Sequence, residues 1–306
     1  MPYIHLPQGE IALQKKQYLG PRVRTAKTWA ACGSAIAATL MTIGCGQRRS
    51  VTSAPKDIYQ NDAATRHEAN ADEVVWTVFQ QEIRGNSIGL CTGSMLTSKY
   101  LLTANHCDPS PGSHYQTGAA LREHAPADLK VVRVVENSNK FDYAIVEVAW
   151  TKGVPTEGQK YSPTISTQAE DLVLGRDDVG TPLVTVGFPG DKNLDYPRTG
   201  VPRAYYAAGF AKRYTGNTLE YNIGTINGNS GGAVWREGDH QLVSLTNGGH
   251  HNYGESGWNH NDPEDPQAWN SGAALYMAYA QSKTLRAIFP DGVNPLVDAD
   301  GNLKPQ

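Results

Sequence analysis

From position 74 onward the chain is cut into short apolar runs by Gly, Pro and Asn, and runs of that length suit β-strands better than helices. A first set covers 74–80, 90–96, 100–103, 130–135 and 143–148. The stretch 151–170, with Gly153, Pro155, Gly158 and Pro163, reads as a connector. A second set covers 183–187, 204–214, 219–223, 233–235, 242–245 and 273–276. Short strands at regular spacing predict an all-β chain built as barrels or sandwiches, and two sets around a connector predict two such units. One segment, 279–288, has helical character and is stopped by Pro290. The polar tail beyond it is expected to be loose.

The front of the chain has a different texture. Lys15, Lys16, Arg22, Arg24 and Lys27 precede an uncharged run over 28–46 that holds Trp29, Ile36, Leu40, Met41 and Ile43. A basic region followed by a short apolar one is the pattern of a secretory leader, so 1–44 is read as a targeting segment. A membrane anchor competes, but Gly33, Ser34, Thr39, Thr42 and Gly44 make the run weakly apolar for the roughly 20 residues a span needs. The run ends Thr42-Ile43-Gly44-Cys45, which resembles a bacterial lipobox with Thr42 where Leu is usual. Cys45 is therefore the lipidation candidate. Lipidation, ordinary cleavage and an uncleaved leader all stay open, and the first and last would tether the protein to a membrane. The chain is expected to be exported in each case, as a secreted, periplasmic or lipoprotein form in a bacterium. Residues 45–73, rich in Ser, Asn, Asp and Pro, read as a linker or pro-segment. The expected order is then a first β-unit over 74–155, a second with the helix over 156–290, and the tail 291–306.

Charge and cysteine usage fit an exported chain. Five cations against Glu10 give 1–44 a net charge of +4; with −3 for the whole chain, the remainder is about −7. Such a balance offers no basic face for nucleic acid, and no nucleic-acid partner is expected. Cys32 and Cys45 lie in or beside the leader, leaving Cys91 and Cys107 as one pair in the body. Outside the cytoplasm such a pair suggests a disulfide, worth roughly 3 kcal/mol for a loop of this size, and the alternative is two buried thiols.

Three short stretches carry chemistry. Gly228-Asn229-Ser230-Gly231-Gly232 places one serine among small residues, so the backbone can turn sharply, expose the hydroxyl and leave the Gly228 N–H free. Read alone, such a stretch is more often a turn between two strands. His106 follows an apolar strand and sits beside Cys107, a suitable position for a general base, although a lone histidine is more often structural. Asp142 directly precedes the run Tyr143-Ala144-Ile145-Val146, where an acid is commonly a turn cap. Its value here is that an orienting carboxylate must be held rigidly against an imidazole N–H.

Taken in order, Thr103-Ala104-Asn105-His106-Cys107, Asp142-Tyr143-Ala144-Ile145 and Gly228-Asn229-Ser230-Gly231-Gly232 resemble the His, Asp and Ser motifs of chymotrypsin-like (trypsin-fold) serine peptidases. Val186-Gly187-Phe188-Pro189-Gly190-Asp191-Lys192 looks like a segment of the bacterial glutamyl endopeptidase branch. The resemblance covers roughly 58–290. It implies two six-stranded antiparallel β-barrels with a C-terminal helix, His106 and Asp142 on the first barrel and Ser230 on the second, and a Cys91–Cys107 disulfide holding the histidine loop. It also implies an exported serine endopeptidase acting on protein or peptide, with Ser230 as nucleophile, His106 as base, Asp142 as its orienter and the N–H groups of Gly228 and Ser230 as oxyanion donors. No cofactor or metal is implied. Asn229 departs from the Asp that trypsin-type enzymes pair with a newly cut N-terminal amine.

The resemblance also names a specificity pocket at Gly224, Thr225 and Thr246. In the glutamyl branch a histidine in the strand after the serine helps bind the substrate carboxylate, and alignment on Gly248-Gly249 puts Thr246 in its place. Gly224 supplies no acid for Lys or Arg. Weak preference for Glu and for basic side chains is expected, with uncharged residues tolerated and His250 or His251 available as a substitute imidazole. Two other readings compete. The Gly-x-Ser-x-Gly elbow of lipases and esterases needs a helix after the serine and the order Ser, acid, His. A lipoprotein binding module on a dead protease fold needs a lost triad member. The loop 250–270, with His250, His251, His260, Asp262, Glu264 and Asp265, matches no trusted metal-ligand spacing and reads as a solvated insertion.

Overall fold

A computed structural model describes residues 66–84, 87–122, 127–153, 158–175, 180–193, 202–249 and 270–305. The leader with Cys32 and Cys45, the linker up to 65, and His250, His251 and His260 with the rest of 250–269 lie outside the described residues.

The described chain begins with strand β1 (Arg66–Glu68) and helix α1 (Ala71–Val74). Asn70 and Glu73 cap α1 reciprocally: Asn70 Oδ1 accepts from the N–H groups of Asp72 and Glu73, and Glu73 Oε2 accepts from Asn70 N. The strand expected from 74 therefore starts later. Six strands then follow: β2 (Val78–Arg84), β3 (Ser87–Met95), β4 (Tyr100–Ala104), β5 (His114–Thr117), β6 (Leu129–Ser138) and β7 (Tyr143–Trp150), with helix α2 (Gly118–Arg122) between β5 and β6. They close in the order β2-β3-β4-β7-β6-β5, every pair antiparallel, with β5 returning to β2. Closure leaves no open edge.

The remaining strands are β8 (Thr164–Ile165), β9 (Pro182–Gly187), β10 (Tyr205–Thr215), β11 (Thr218–Tyr221), β12 (Ala233–Arg236), β13 (Gln241–Gly249) and β14 (Asn270–Ala274). The order β9-β10-β11-β14-β13-β12 closes a second six-stranded barrel, because β12 pairs with β9 and β9 with β10. Strand β8 adds to β13 in parallel, and β1 adds to β10. Residues 66–68, read from sequence as linker, are thus sheet on the second barrel.

Side-chain pattern explains the closure. In β4, Leu101 packs in the interior of the first barrel and Leu102 in the core between barrels, so both faces are buried and the run is continuously apolar. In β6 the outer face is exposed at Lys130 and Val132, and the pattern alternates. Phe79 and Phe188 meet across the inter-barrel core with ring centroids 4.9 Å apart.

The C-terminal helix is two helices, α3 (Leu275–Gln281) and α4 (Lys283–Ile288). Ser282 is extended at φ −79, ψ 121 and its Oγ accepts from Leu285 N, which ends one helix and starts the next. Helix α3 begins at Leu275 because Leu, Met and Ala favour helix over strand, so the run read as strand to 276 stops at Ala274. The tail is docked rather than loose: Asn294 is fully buried and donates to Leu96 O and Ser162 O, and Val297 packs with the first barrel's core. Among the described residues no helix is long and apolar enough to cross a membrane.

Candidate active site

His106 lies in a single 3-10 turn, Asn105–Cys107, at the end of β4. Asp142 enters β7 with φ 51, a left-handed conformation that costs a β-substituted residue about 1–2 kcal/mol. The bonds it makes explain that conformation. Its carbonyl accepts from Asn105 N at 3.1 Å, Oδ1 accepts from His106 N at 2.9 Å, and Oδ2 pairs with His106 Nδ1 at 2.6 Å. Donation from Nδ1–H to this carboxylate leaves Nε2 as the lone-pair nitrogen, the tautomer a base requires.

Neighbours on both barrels hold the aspartate turn. Asn247 on β13 donates through Nδ2 to Phe141 O at 3.0 Å. Tyr143 Oη donates to Glu136 Oε1 at 2.5 Å, and Glu136 Oε2 accepts from Thr284 N of α4 at 3.2 Å. Burial and that carboxylate push the Tyr143 phenol well above its ordinary value, so it stays a donor. Burial also pushes the Glu136 carboxyl up, but hydrogen bonds from Ser282, Tyr143 and Thr284 outweigh it and hold the group below its ordinary range.

Cys91 and Cys107 form a disulfide with Cα atoms 6.2 Å apart, fastening the histidine turn to β3. The serine loop docks on the same place. Thr92 N donates to Ser230 O at 2.8 Å, Thr92 Oγ1 donates to Gly228 O at 2.8 Å, and Cys107 Sγ lies 3.6 Å from Ser230 O. Thr92 itself is fully buried, and its carbonyl accepts from Thr103 Oγ1 at 2.8 Å. The sequence reading missed both Thr92 and Asn247; a polar β-branched residue beside a disulfide cysteine in a buried strand was the available signal for Thr92.

Glycine is required at two points of the serine loop. Gly228 has φ +100, and a Cβ there would lie 2.2 Å from Phe188 O. Gly231 has φ +86, and a Cβ there would lie 2.1 Å from Thr92 O. The donors sort cleanly. Asn229 N binds Ile226 O, Gly231 N binds Thr246 O and Gly232 N binds Asn229 O. Among the described residues the N–H groups of Gly228 and Ser230 hold no partner, so this loop has two free donors beside the serine hydroxyl. Asn229 is buried and its Oδ1 has no hydrogen-bond partner.

The structure therefore joins His106 directly to Asp142 and brings the peptide of Ser230 against the histidine turn. It does not join Ser230 Oγ to His106: both hydrogen bonds of the histidine go to Asp142. Catalytic hydrogen bonds are often long without substrate. Gly224, Thr225 and Thr246 are all buried. Thr246 N donates to Gly232 O at 2.8 Å, which seats Thr246 beside the serine loop. A cavity of about 1120 Å³ lined by Trp76, Lys160, Tyr161, Tyr206, His240 and Asp300 lies elsewhere and includes none of His106, Asp142 or Ser230. Its size does not outweigh the chemistry, which sits where the serine loop meets the histidine turn. Among the described residues no group of three or more His, Cys, Asp or Glu could hold a metal.

Known proteins resemble this chain to different extents. Glutamyl endopeptidases of Staphylococcus aureus strains MRSA252 and MW2 are 24% identical over 157 residues, which is 51% of this chain and 40% and 44% of theirs. The chain thus spans less than half the length of the curated relatives it matches. Two solved structures align at low identity. One, of a Glu endopeptidase in complex with MPD, has a TM-score of 0.47 at 20% identity, covering 71% of this chain and 96% of that one. The other, a scabies mite inactivated protease paralogue, has a TM-score of 0.49 at 15% identity, covering 74% and 99%. The Trypsin family matches residues 63–276, which span all three motifs and both barrels, and the chain belongs to that family.

Proposed function

We propose that this protein is an exported serine endopeptidase working through an acyl-enzyme. The observation that carries the reading is the junction of the two barrels, where the turn that holds a histidine locked to a carboxylate meets the loop of a serine with two unpaired N–H groups. Ser230 Oγ attacks the peptide carbonyl carbon while its proton passes to His106 Nε2. Asp142 keeps Nδ1 protonated and stabilises the imidazolium. The oxyanion is received by the N–H groups of Gly228 and Ser230. The C–N bond then breaks, and His106 gives its proton to the leaving amine. Water repeats the sequence on the ester, with His106 taking its proton, and releases the carboxylic acid.

The esterase alternative is weakened by β12, a strand three residues beyond Ser230 where an elbow needs a helix. The disulfide supports export, through lipidated Cys45, cleavage or an uncleaved leader. The three differ in intact mass of the protein recovered from membranes or medium. The catalytic test is Ser230→Ala. It should lower turnover by on the order of 10⁶ and abolish fluorophosphonate labelling. Labelling that survives the substitution overturns the assignment.

A further inference from the structure

The directions of the two free N–H groups in the serine loop are set by where the carbonyls of the same peptides are bound. In a trans peptide the N–H and the C=O point opposite ways, so holding the oxygen aims the hydrogen. The Gly228 N–H shares a peptide with Asn227 O, which accepts from Gly190 N at 2.6 Å. The Ser230 N–H shares one with Asn229 O, which accepts from Gly232 N at 2.8 Å. Between them lies the peptide formed by Gly228 C=O and Asn229 N–H. Its N–H donates to Ile226 O at 2.9 Å, and its C=O accepts from Thr92 Oγ1 at 2.8 Å. The first three of these bonds join backbone to backbone. The last comes from a side chain on the other barrel.

Strand β3 presents Thr92 fully buried, with both roles of its hydroxyl filled. Phe188 N donates to Oγ1 at 3.2 Å, and the hydroxyl hydrogen goes to Gly228 O, which can only accept. Phe188 stands two residues before Gly190, the donor that holds Asn227 O. One hydroxyl therefore ties the middle peptide of the serine loop to the segment that holds the first. The rest of Thr92 packs on the same loop: its N–H donates to Ser230 O at 2.8 Å, and a Cβ on Gly232 would lie 3.3 Å from its methyl. Valine has nearly this shape without the hydroxyl. In its place the Phe188 N–H and the Gly228 C=O are buried without a partner, and the middle peptide is held at its N–H alone.

Resting on the peptidase reading above, we infer that Thr92 is a positioning residue of the oxyanion site, whose hydroxyl reaches across the junction of the barrels to fix the relative orientation of the Gly228 and Ser230 N–H groups. Thr92 touches no reacting atom. It acts through the donors that meet charge developing on the substrate oxygen, and so on turnover rather than on substrate binding.

The experiment compares Thr92→Val with Thr92→Ser on one peptide substrate. Thr92→Val should lower kcat by about 10- to 100-fold at nearly constant KM, less than the roughly 10²–10³ lost with an oxyanion donor itself. A peptide trifluoromethyl ketone, which adds the serine oxygen and leaves an oxyanion, should inhibit this variant more weakly by a similar factor. The matching peptide alcohol, which forms no oxyanion, should bind as it does to wild type. Thr92→Ser keeps the hydroxyl and should stay within a few-fold of wild type. Full turnover in Thr92→Val, equal losses in the two variants, or a loss confined to KM overturns the inference. Should Thr92→Val fail to fold, Thr92→Ala against Thr92→Ser isolates the hydroxyl with the methyl absent from both: a gap of about tenfold in kcat supports the inference and equality overturns it. Fluorophosphonate labelling of Ser230 in wild type keeps the peptidase reading through each of these outcomes, and its absence removes both.

Discussion

The two halves of the site are held by different forces. On the first barrel, His106 and Asp142 are fixed by side chains: two bonds from one carboxylate, and a disulfide at the next residue. On the second barrel, Ser230 is fixed by backbone: two positive-φ glycines where a Cβ would lie 2.2 Å from Phe188 O or 2.1 Å from Thr92 O, and N–H groups committed at Asn229, Gly231 and Gly232. The first half is consequently open to chemical perturbation, by charge removal or reduction. The second is open to steric perturbation, where one methyl group is enough. If that contrast is right, the two halves should fail in distinguishable ways.

The largest expected failure after loss of the nucleophile is Asp142→Asn. It preserves shape but no longer enforces the Nδ1–H tautomer, and kcat should fall by on the order of 10⁴ with the melting temperature little changed. Gly228→Ala should fail by geometry instead. The methyl cannot sit 2.2 Å from Phe188 O, so the loop must shift and misplace the Gly228 N–H. A loss of about 10²–10³ in kcat is expected with His106 and Asp142 still paired, which the low-field imidazole proton in an NMR spectrum would report. Full activity in Gly228→Ala would remove that N–H from the oxyanion site.

The same contrast decides what the sequence revealed. Contiguous motifs were legible, because Gly228, Ser230, His106 and Asp142 each stand in a short stretch whose composition suits the task. Two β-units followed from strand spacing, and the family resemblance made them barrels. Thr92 and Asn247 were harder to read, since their partners lie on the other barrel; Thr92 had only its place beside Cys91 to mark it, and Asn247 had nothing adjacent in sequence. The break at Ser282 was missed because the helical pattern runs through it, and only the cap bond to Leu285 N separates the two helices. The tail looked loose because a run of Asp, Asn and Gly resembles solvent-exposed chain, yet Asn294 satisfies two buried carbonyls and Gly301 lies under Trp76.

A smaller effect separates covalent from packed restraint. The loop closed by Cys91 and Cys107 has a sequence separation of 16, so replacing both with alanine should cost about 3 kcal/mol. That corresponds to a fall of about 6–12 °C in melting temperature for a chain of this size. The serine loop's own bonds to Thr92 do not depend on the bridge. Fluorophosphonate labelling at low temperature should therefore survive more than peptide turnover does, and equal loss of both would show that the bridge supports the serine as well.

The smallest effect tests how the first barrel is tied to the C-terminal helices. Glu136 receives Tyr143 Oη and Thr284 N, so it links the residue after Asp142 to the start of α4. Its folded pKa is held below its ordinary value of 4.5. The unfolded chain then binds more protons through that range, so the contribution to stability is complete above the unfolded pKa and is lost as pH falls through the folded one. Glu136→Gln should cost about 1 kcal/mol or less near neutral pH, since the carboxylate is only partly buried and water screens it. The difference between wild type and variant in urea titrations should narrow as the pH drops below 4.5. Glu147, drawn down by Lys99 and Arg133 on the barrel's outer wall, titrates in both proteins and cancels. A gap that stays constant down to pH 3 would mean that Glu136 acts by shape alone, and that the helix is tied to Asp142 through packing rather than charge.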